Sequence, residues 1–334
     1  MINIGHIGLG RMGEFHARTL KSLPNANLYA ICDLDEKKLN EISDQLEVEH
    51  RYTDFDEMIK DENIDAITIA SPSHLHTQFI TKALNAGKHV FSEKPLGVTV
   101  EECKKAEKAV EANPDKIFML GFMRRFDKSY RYAKEAIDQG KIGKVYMVRS
   151  YSQDPTSAIE GAIKFGPHSG GEFLDMCVHD IDLIRWYTSA EPKQVWAIGG
   201  CYAYDEFKDW NDGDNVSALL KLDNDAMAFL FAGRTAPHGY NVETEIMGTE
   251  GILRIGSVPQ ANMVEILDNK GVRKEISQSF IERFGDSFKA ELKEFVDCIE
   301  KNRKPEITVY DGTRVSEIAY KCKESFETGK LINI

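Results

Sequence analysis

The chain is poor in the features that would send it out of a cell, into a membrane or onto nucleic acid. Its six cysteines, Cys32, Cys103, Cys177, Cys201, Cys298 and Cys322, are scattered without a C-x-x-C pair. That spacing argues against a disulfide framework or a structural zinc cluster and fits reduced thiols. No apolar run approaches the roughly 18 residues a spanning helix needs, and the amino terminus enters a strand pattern without a signal-like apolar stretch. A cytoplasmic protein with no membrane partner is expected. Positive charge is also short: 42 Lys and Arg against 54 Asp and Glu leave a net charge of -12. With no dense basic run, nucleic acid is not an expected partner. Internal repeats, low-complexity stretches and long Pro/Gly/Ser linkers are missing too, so closely packed domains are expected. What is plentiful is apolar material, 42% over 334 residues, enough to fill the cores of two domains.

Residues 1–121 alternate strand and helix patterns. Strands are expected at Ile2 to Ile7, Leu28 to Cys32, Ala66 to Ala70, His89 to Phe91 and Ile117 to Gly121. Helices are expected at Arg11 to Leu20, Glu36 to Leu46 and His76 to Ala86. Capping-box spacings at Thr53 to Asp56 and Thr99 to Glu102 mark two further helix starts. Short apolar strands joined by helices indicate a doubly wound parallel sheet, the Rossmann arrangement. Beyond Gly121 the pattern changes. Helices at Ser129 to Asp138 and Phe173 to Trp186 precede strand-like runs at Val195 to Ala203, Ser217 to Leu222, Ala226 to Ala232, Val242 to Met247 and Val264 to Leu267. Helices near Lys289 to Glu300 and Asp311 to Glu327 finish the chain. Turn pairs such as Asp223-Asn224 and Asp268-Asn269 predict a mainly antiparallel sheet. The expected division is 1–121 and 122–334, both α/β.

Three motifs carry chemistry. Gly8-Leu9-Gly10-Arg11-Met12-Gly13 follows a strand and opens a helix, and Asp33 ends the next strand 20 residues later. This is the context that turns a weak glycine pattern into a dinucleotide site: Gly8 for the turn, Gly10 for approach to the pyrophosphate, Gly13 for helix packing. Asp33 would accept from a ribose 2′-hydroxyl and repel a 2′-phosphate, and Leu34 adds no cation, so NAD is expected over NADP. Second, Lys94 stands just past the carboxyl end of a strand in Ser92-Glu93-Lys94-Pro95, where open α/β sheets place ligands. The competing reading is a surface lysine paired with Glu93. Third, Asp175, His179 and Asp182 fall on one helical stripe beside the apolar Leu174, Val178 and Ile181, so a carboxylate can orient an imidazole for proton transfer. An exposed Asp-His pair is the bland alternative. Zinc would need a third ligand at recognisable spacing, so metal-free chemistry is expected.

Together GLGRMG, AGKHVFSEKPLG, GFMRRFD (Gly121 to Asp127) and GGEFLDMCVHDIDLIRW (Gly170 to Trp186) closely resemble the Gfo/Idh/MocA oxidoreductases over almost the whole chain. The resemblance implies a nicotinamide domain followed by a substrate-binding α/β domain with an open sheet, through which homotetramers assemble. Phe122 to Asp127 looks like the inositol dehydrogenase branch, and Arg149 to Pro155 and Ala236 to Glu245 look like its scyllo-inositol members. The usual myo-inositol pattern has His-Arg-Asn-Pro where Ser152 to Pro155 stands, and a tyrosine where His238 stands. The resemblance implies that Lys94, Asp175 and His179 act in catalysis: Lys94 bridging cofactor and substrate, Asp175 bonding a hydroxyl, His179 removing the proton. Gly8, Gly10, Arg11, Met12, Gly13, Asp33, Ser71, His76, Glu93 and Lys94 would line the cofactor. Arg124, Asp154 and His238 would contact the remaining hydroxyls, a polyol needing several convergent polar groups. Met123 and Tyr240 read as packing, and the Ser71 to His76 segment, which follows another sheet strand, either borders the nicotinamide or supplies Ser73 or His74 as a helix N-cap. The expected activity is NAD-dependent oxidation of an inositol hydroxyl, scyllo-inositol before myo-inositol or other sugars. The alternative class is a non-catalytic NAD-binding sensor.

Overall fold

The computed structural model describes residues 1–256 and 260–334. The chain divides into two compact units. One joins Met1–Met123 to Phe288–Ser316, the other Arg124–Ser287 to Glu317–Ile334. Chain order alone places a boundary at 121/122 and leaves the late segment with the second domain; side-chain packing instead returns it to the first. Phe288 meets the Phe15 ring edge-on at 5.8 Å, and a Cβ on Gly312 would lie 2.7 Å from Leu120 Cδ2.

In the first unit the order is β1 (Ile2–Ile7), α1 (Arg11–Ser22), β2 (Ala26–Cys32), α2 (Glu36–Gln45), β3 (His50–Tyr52), α3 (Phe55–Met58), β4 (Ala66–Ile69), α4 (His76–Asn85), β5 (His89–Glu93), α5 (Val100–Ala112) and β6 (Phe118–Gly121). Among the described residues the strands form one parallel sheet in the order β3-β2-β1-β4-β5-β6. The chain therefore reverses direction across the sheet between β1 and β4, where ligands bind in such folds. Every side chain of β4 and β6 is buried, as helices on both faces require. The Thr99 box forms as expected, with Glu102 reaching back to the cap. The Thr53 box does not: Asp54 is the N-cap, its carboxylate accepting from Asp56 N–H, while the Asp56 carboxylate is held by Lys82 Nζ at 2.7 Å. Neither Ser73 nor His74 caps α4, whose N-cap is Leu75 without a side-chain bond.

The second unit runs α6 (Lys128–Asp138), β7 (Val145–Pro155), α7 (Ile159–Phe165), α8 (Glu172–Asp175), α9 (Val178–Thr188), β8 (Pro192–Gly200), β9 (Asn215–Leu222), β10 (Met227–Ala236), β11 (Asn241–Gly248), β12 (Ile252–Ile255), β13 (Gln260–Asp268) and β14 (Gly271–Ile276). Two long helices, α10 (Phe280–Glu300) and α11 (Val309–Thr328), and the short β15 (Ile332–Asn333) complete the chain. The main sheet has the order β12-β11-β7-β10-β9-β8-β15. It is antiparallel except where β7 and β10 run together. β13 and β14 pair only with each other among the described residues. The sequence pattern misses β7, an inner strand of the sheet between β11 and β10. It also predicts one helix over 173–186, where the structure has α8 and α9 broken at Met176-Cys177.

One face of this sheet buries Val148, Val195, Ala197, Leu220, Ala228, Leu230 and Ile246. On the other, the cross-strand partners Trp196 and Leu219 are 44% and 49% exposed, and Ile198, two residues along, is 51% exposed. No described helix is long and apolar enough to cross a membrane.

The glycine loop yields the first prediction. A Cβ on Gly13 would sit 1.9 Å from Gly8 O, whereas one on Gly10 meets nothing within 4 Å. Gly13→Ala is expected to cost about 3 kcal/mol or more, and Gly10→Ala to leave urea unfolding within about 0.5 kcal/mol of wild type. Equal stability of the two variants would contradict this packing.

Candidate active site

In the first unit the carboxyl ends of three neighbouring strands bring the predicted cofactor residues together. Ile7 pairs with Ile69, and Ile69 with Ser92, so the glycine loop, the Ser71 loop and Lys94 emerge side by side. Gly8 has φ +96° and a Cβ there would strike Ala70 O at 2.5 Å, so the position demands glycine. Helix α1 starts at Gly10 with no side chain capping its first turn, leaving N–H groups directed outward for an anion. Arg11 is exposed and Met12 half-buried in that turn. Asp33 Oδ2 accepts from Leu9 N–H at 2.5 Å and Oδ1 from Asp35 N–H at 2.8 Å, tying the acid to the loop it is expected to serve.

Beneath the loop lies a residue the sequence reading passed over. His6 is fully buried, with Nε2 2.9 Å from Gly8 O and Nδ1 2.8 Å from Thr68 Oγ1. A carbonyl only accepts, so Nε2 carries the hydrogen and Nδ1 takes the Thr68 hydroxyl. Burial, with the nearby His16 adding to it, lowers the His6 pKa to about 3.

Lys94 is half-buried, and the Lys94-Pro95 peptide bond is cis. Its backbone N–H donates to Glu93 Oε2 at 3.2 Å, while Glu93 Oε1 turns inward to His16 Nε2 at 2.6 Å. His76 is buried between Pro95 O (2.7 Å) and the half-buried Ser71's carbonyl (2.9 Å), joining the two loops. Burial depresses its pKa despite those two acceptors. Glu291 lies near His16 and Glu93, the three offering ligand atoms within 4.8 Å of one another. A cation between His16 and Glu93 would have to break their 2.6 Å bond. Burial, and then the Glu93 charge, push the Glu291 carboxyl well above its usual range.

In the second unit the expected stripe of Asp175, His179 and Asp182 is taken apart. Asp175 ends α8 and accepts from Arg234 Nη2 at 2.6 Å, His179 is the second residue of α9 and 9% exposed, and Asp182 is buried on Arg125 at 2.8 and 2.5 Å. The break at Met176-Cys177 lets each acid meet its own guanidinium. Arg124 is buried, with Nη1 2.6 Å from Asp180 Oδ1 and Nη2 3.0 Å from Ser152 Oγ, so only its Nε lacks a bond among the described residues. Asp154, on β7, is 3.2 Å from Arg234 Nη1. His238 is exposed in the turn between β10 and β11. Met123 and Tyr240 are buried, Tyr240 edge-on to Phe284 at 6.3 Å. Arg125, Glu172, Asp180 and Arg234 went unnoticed in the sequence, although consecutive arginines at 124–125 and alternate aspartates at 180 and 182 in an apolar helix are a signal for buried pairs.

The family description "Oxidoreductase family, NAD-binding Rossmann fold" matches residues 2–122, and "GFO/IDH/MocA C-terminal domain" matches residues 130–254. The chain belongs to the Gfo/Idh/MocA family. Across its whole length it is 34% identical to the myo-inositol 2-dehydrogenase of Thermotoga maritima, covering 98% of that protein. Over 98% of its length it is 33% identical to the NAD(+) scyllo-inositol 2-dehydrogenase of Bacillus subtilis, covering 95% of that protein. The crystal structure of scyllo-inositol dehydrogenase from Lactobacillus casei with bound NAD(H) and scyllo-inositol superposes with a TM-score of 0.96 at 44% identity, covering all of this chain and 99% of that one. In this family member the uncapped α1, the glycine loop and Asp33 suit the dinucleotide, and Lys94 stands on the strand end beside them.

His6 generates a prediction about pH. With a folded pKa of about 3 against 6.5, the unfolded chain binds a proton between those values that the folded chain refuses. Its contribution is complete above pH 6.5 and is lost toward pH 3, at about 1.4 kcal/mol per pH unit. Urea unfolding from pH 7 to 5 should therefore fall less steeply in His6→Gln than in wild type. Parallel slopes would show that His6 is not held neutral.

Proposed function

We propose that this protein oxidises one hydroxyl of an inositol to the ketone with NAD as acceptor, scyllo-inositol preferred, using Lys94, Asp175 and His179 at the reacting carbon. The observation that supports it most is the whole-length likeness to an enzyme that binds NAD(H) and scyllo-inositol, in a chain whose own glycine loop, Asp33 and Lys94 gather at adjacent strand ends. When bound, NAD accepts the hydride. His179 removes the hydroxyl proton, a role suited to an imidazole near neutral pH. Lys94 stabilises the alkoxide as it develops. Asp175, held by Arg234, accepts from a ring hydroxyl and fixes which carbon is presented. Asp154, His238 and the Nε edge of Arg124 contact further hydroxyls. Asp33 binds the ribose of NAD and disfavours NADP; Arg11 and Met12 flank the pyrophosphate. Ser71, His76 and Glu93 shape the loops around Lys94. Myo-inositol is the second candidate substrate, favoured by the likeness to the Thermotoga protein.

We also propose a cytoplasmic homotetramer. All six cysteines are free, as in a reducing compartment. The exposed row of Trp196, Ile198 and Leu219 on the open sheet is an apolar patch of the kind that subunits cover.

Three outcomes are expected. NADH absorbance at alkaline pH should rise with scyllo-inositol, less with myo-inositol, and least with D-glucose. Lys94→Ala and His179→Ala should each lose roughly 10²-fold or more of turnover while binding NAD normally. Near-normal turnover in either variant removes that residue from the mechanism, and tight NAD binding without turnover in wild type supports the sensor. In light scattering, Trp196→Asp with Leu219→Asp should reduce the mass from four chains to fewer; an unchanged mass moves the interface elsewhere.

A further inference from the structure

Three carboxylates from two stretches of the second unit, Asp154 on β7 and Glu172 and Asp175 on α8, close on one guanidinium. Arg234, near the end of β10 and 5% exposed, directs Nε to Glu172 Oε2 at 2.7 Å, Nη2 to Asp175 Oδ2 at 2.6 Å and Nη1 to Asp154 Oδ2 at 3.2 Å. The acids are graded outward: their side chains are 0%, 17% and 26% exposed in that order. The cation is thus rooted on Glu172 at the closed end and presents Asp175 and Asp154 at the open end. Glu172 is fixed in turn, its backbone N–H donating to Asp212 Oδ2 at 2.8 Å, and its Oε1 has no partner among the described residues. Burial first, against the pull of Arg234, and then the charges of Asp175, Asp212 and Asp154 push the Glu172 carboxyl well above its usual range.

We propose that Arg234 is a positioning residue that holds Asp154 and Asp175 as a fixed pair of acceptors for two hydroxyls of the substrate ring. A guanidinium is planar, with its N–H groups in a rigid fork. The two outer arms therefore set both carboxylates in one frame, and neither aspartate turns without losing its arm. Strand β7, helix α8 and strand β10 meet at this one group. A lysine would supply the charge and three donors on a single nitrogen, but not the rigid planar fork that spreads them over three separate nitrogens. The proposal rests on Asp175 acting on substrate.

The test compares Arg234→Ala, Arg234→Lys and Asp175→Asn with wild type in the full chain. Thermal unfolding verifies folding, and NADH fluorescence verifies cofactor binding. Arg234→Ala is expected to bind NAD normally and to lose about 10²-fold in kcat/KM for scyllo-inositol, the scale of a misplaced contact. Most of that loss should appear as raised KM, and Arg234→Lys should recover part of it. Millimolar guanidinium should restore Arg234→Ala saturably, where equal sodium chloride does not. A folded Arg234→Ala or Arg234→Lys with kcat/KM near wild type overturns the proposal. So does a loss that falls equally on NAD binding, or one that guanidinium leaves untouched. Asp175→Asn separates the readings: if it keeps full activity, the site assignment itself fails, whereas if it loses activity and the Arg234 variants do not, only the positioning role fails.

Discussion

A buried helix with two aspartates is the constraint around which the second unit is arranged. Every residue of α9 is buried, and Asp180 and Asp182 are 0% and 1% exposed. Carboxylates taken out of water this completely need cations and donors, and removing one partner of such a pair costs on the order of 3–5 kcal/mol. The chain supplies them from one short turn, Arg124 for Asp180 and Arg125 for Asp182. Ser150 and Ser152, facing inward from β7, complete the shell of Asp180 at 2.5 and 2.7 Å. One set of polar contacts therefore ties α9 to the turn before α6 and to β7. His179 lies in the first turn of that helix, so the same contacts fix the backbone that carries the imidazole.

The first unit solves a similar problem with smaller parts. Its loop between β1 and α1 must bring backbone close to backbone, and Gly8 and Gly13 permit that contact. His6 then fills the space below and donates to the carbonyl that Gly13 abuts. Lys94 is positioned in the same manner: the neighbouring Glu93 is occupied by His16, and Pro95 O by His76. In both places a buried histidine supports a loop from within.

Much of the first unit is legible in sequence because its strands are buried on both faces and read as short apolar runs. β3, three residues with none buried, gives no such signal and was missed. β7 was missed for a different reason. Its inward positions include Ser150 and Ser152, polar residues that belong to Asp180, so hydrophobic alternation fails where the core is a hydrogen-bonded network. The same network hides Arg234 and Glu172, whose partners lie 59 to 80 residues away for the arginine. Lys94, Asp175 and His179 could be singled out because each sits in a local motif. The stripe drawn through Asp175 and Asp182 was wrong because helical periodicity assumes an unbroken helix, and two separate guanidinium partners break it here.

The most direct test of the account is a crystal structure of the protein with NAD and scyllo-inositol. The account predicts Lys94 Nζ and His179 Nε2 both within hydrogen-bonding reach, about 3 Å, of the same ring oxygen, with Asp175 on a neighbouring hydroxyl. Density placing the imidazole or the ammonium on a different hydroxyl, or away from the ring altogether, would contradict it.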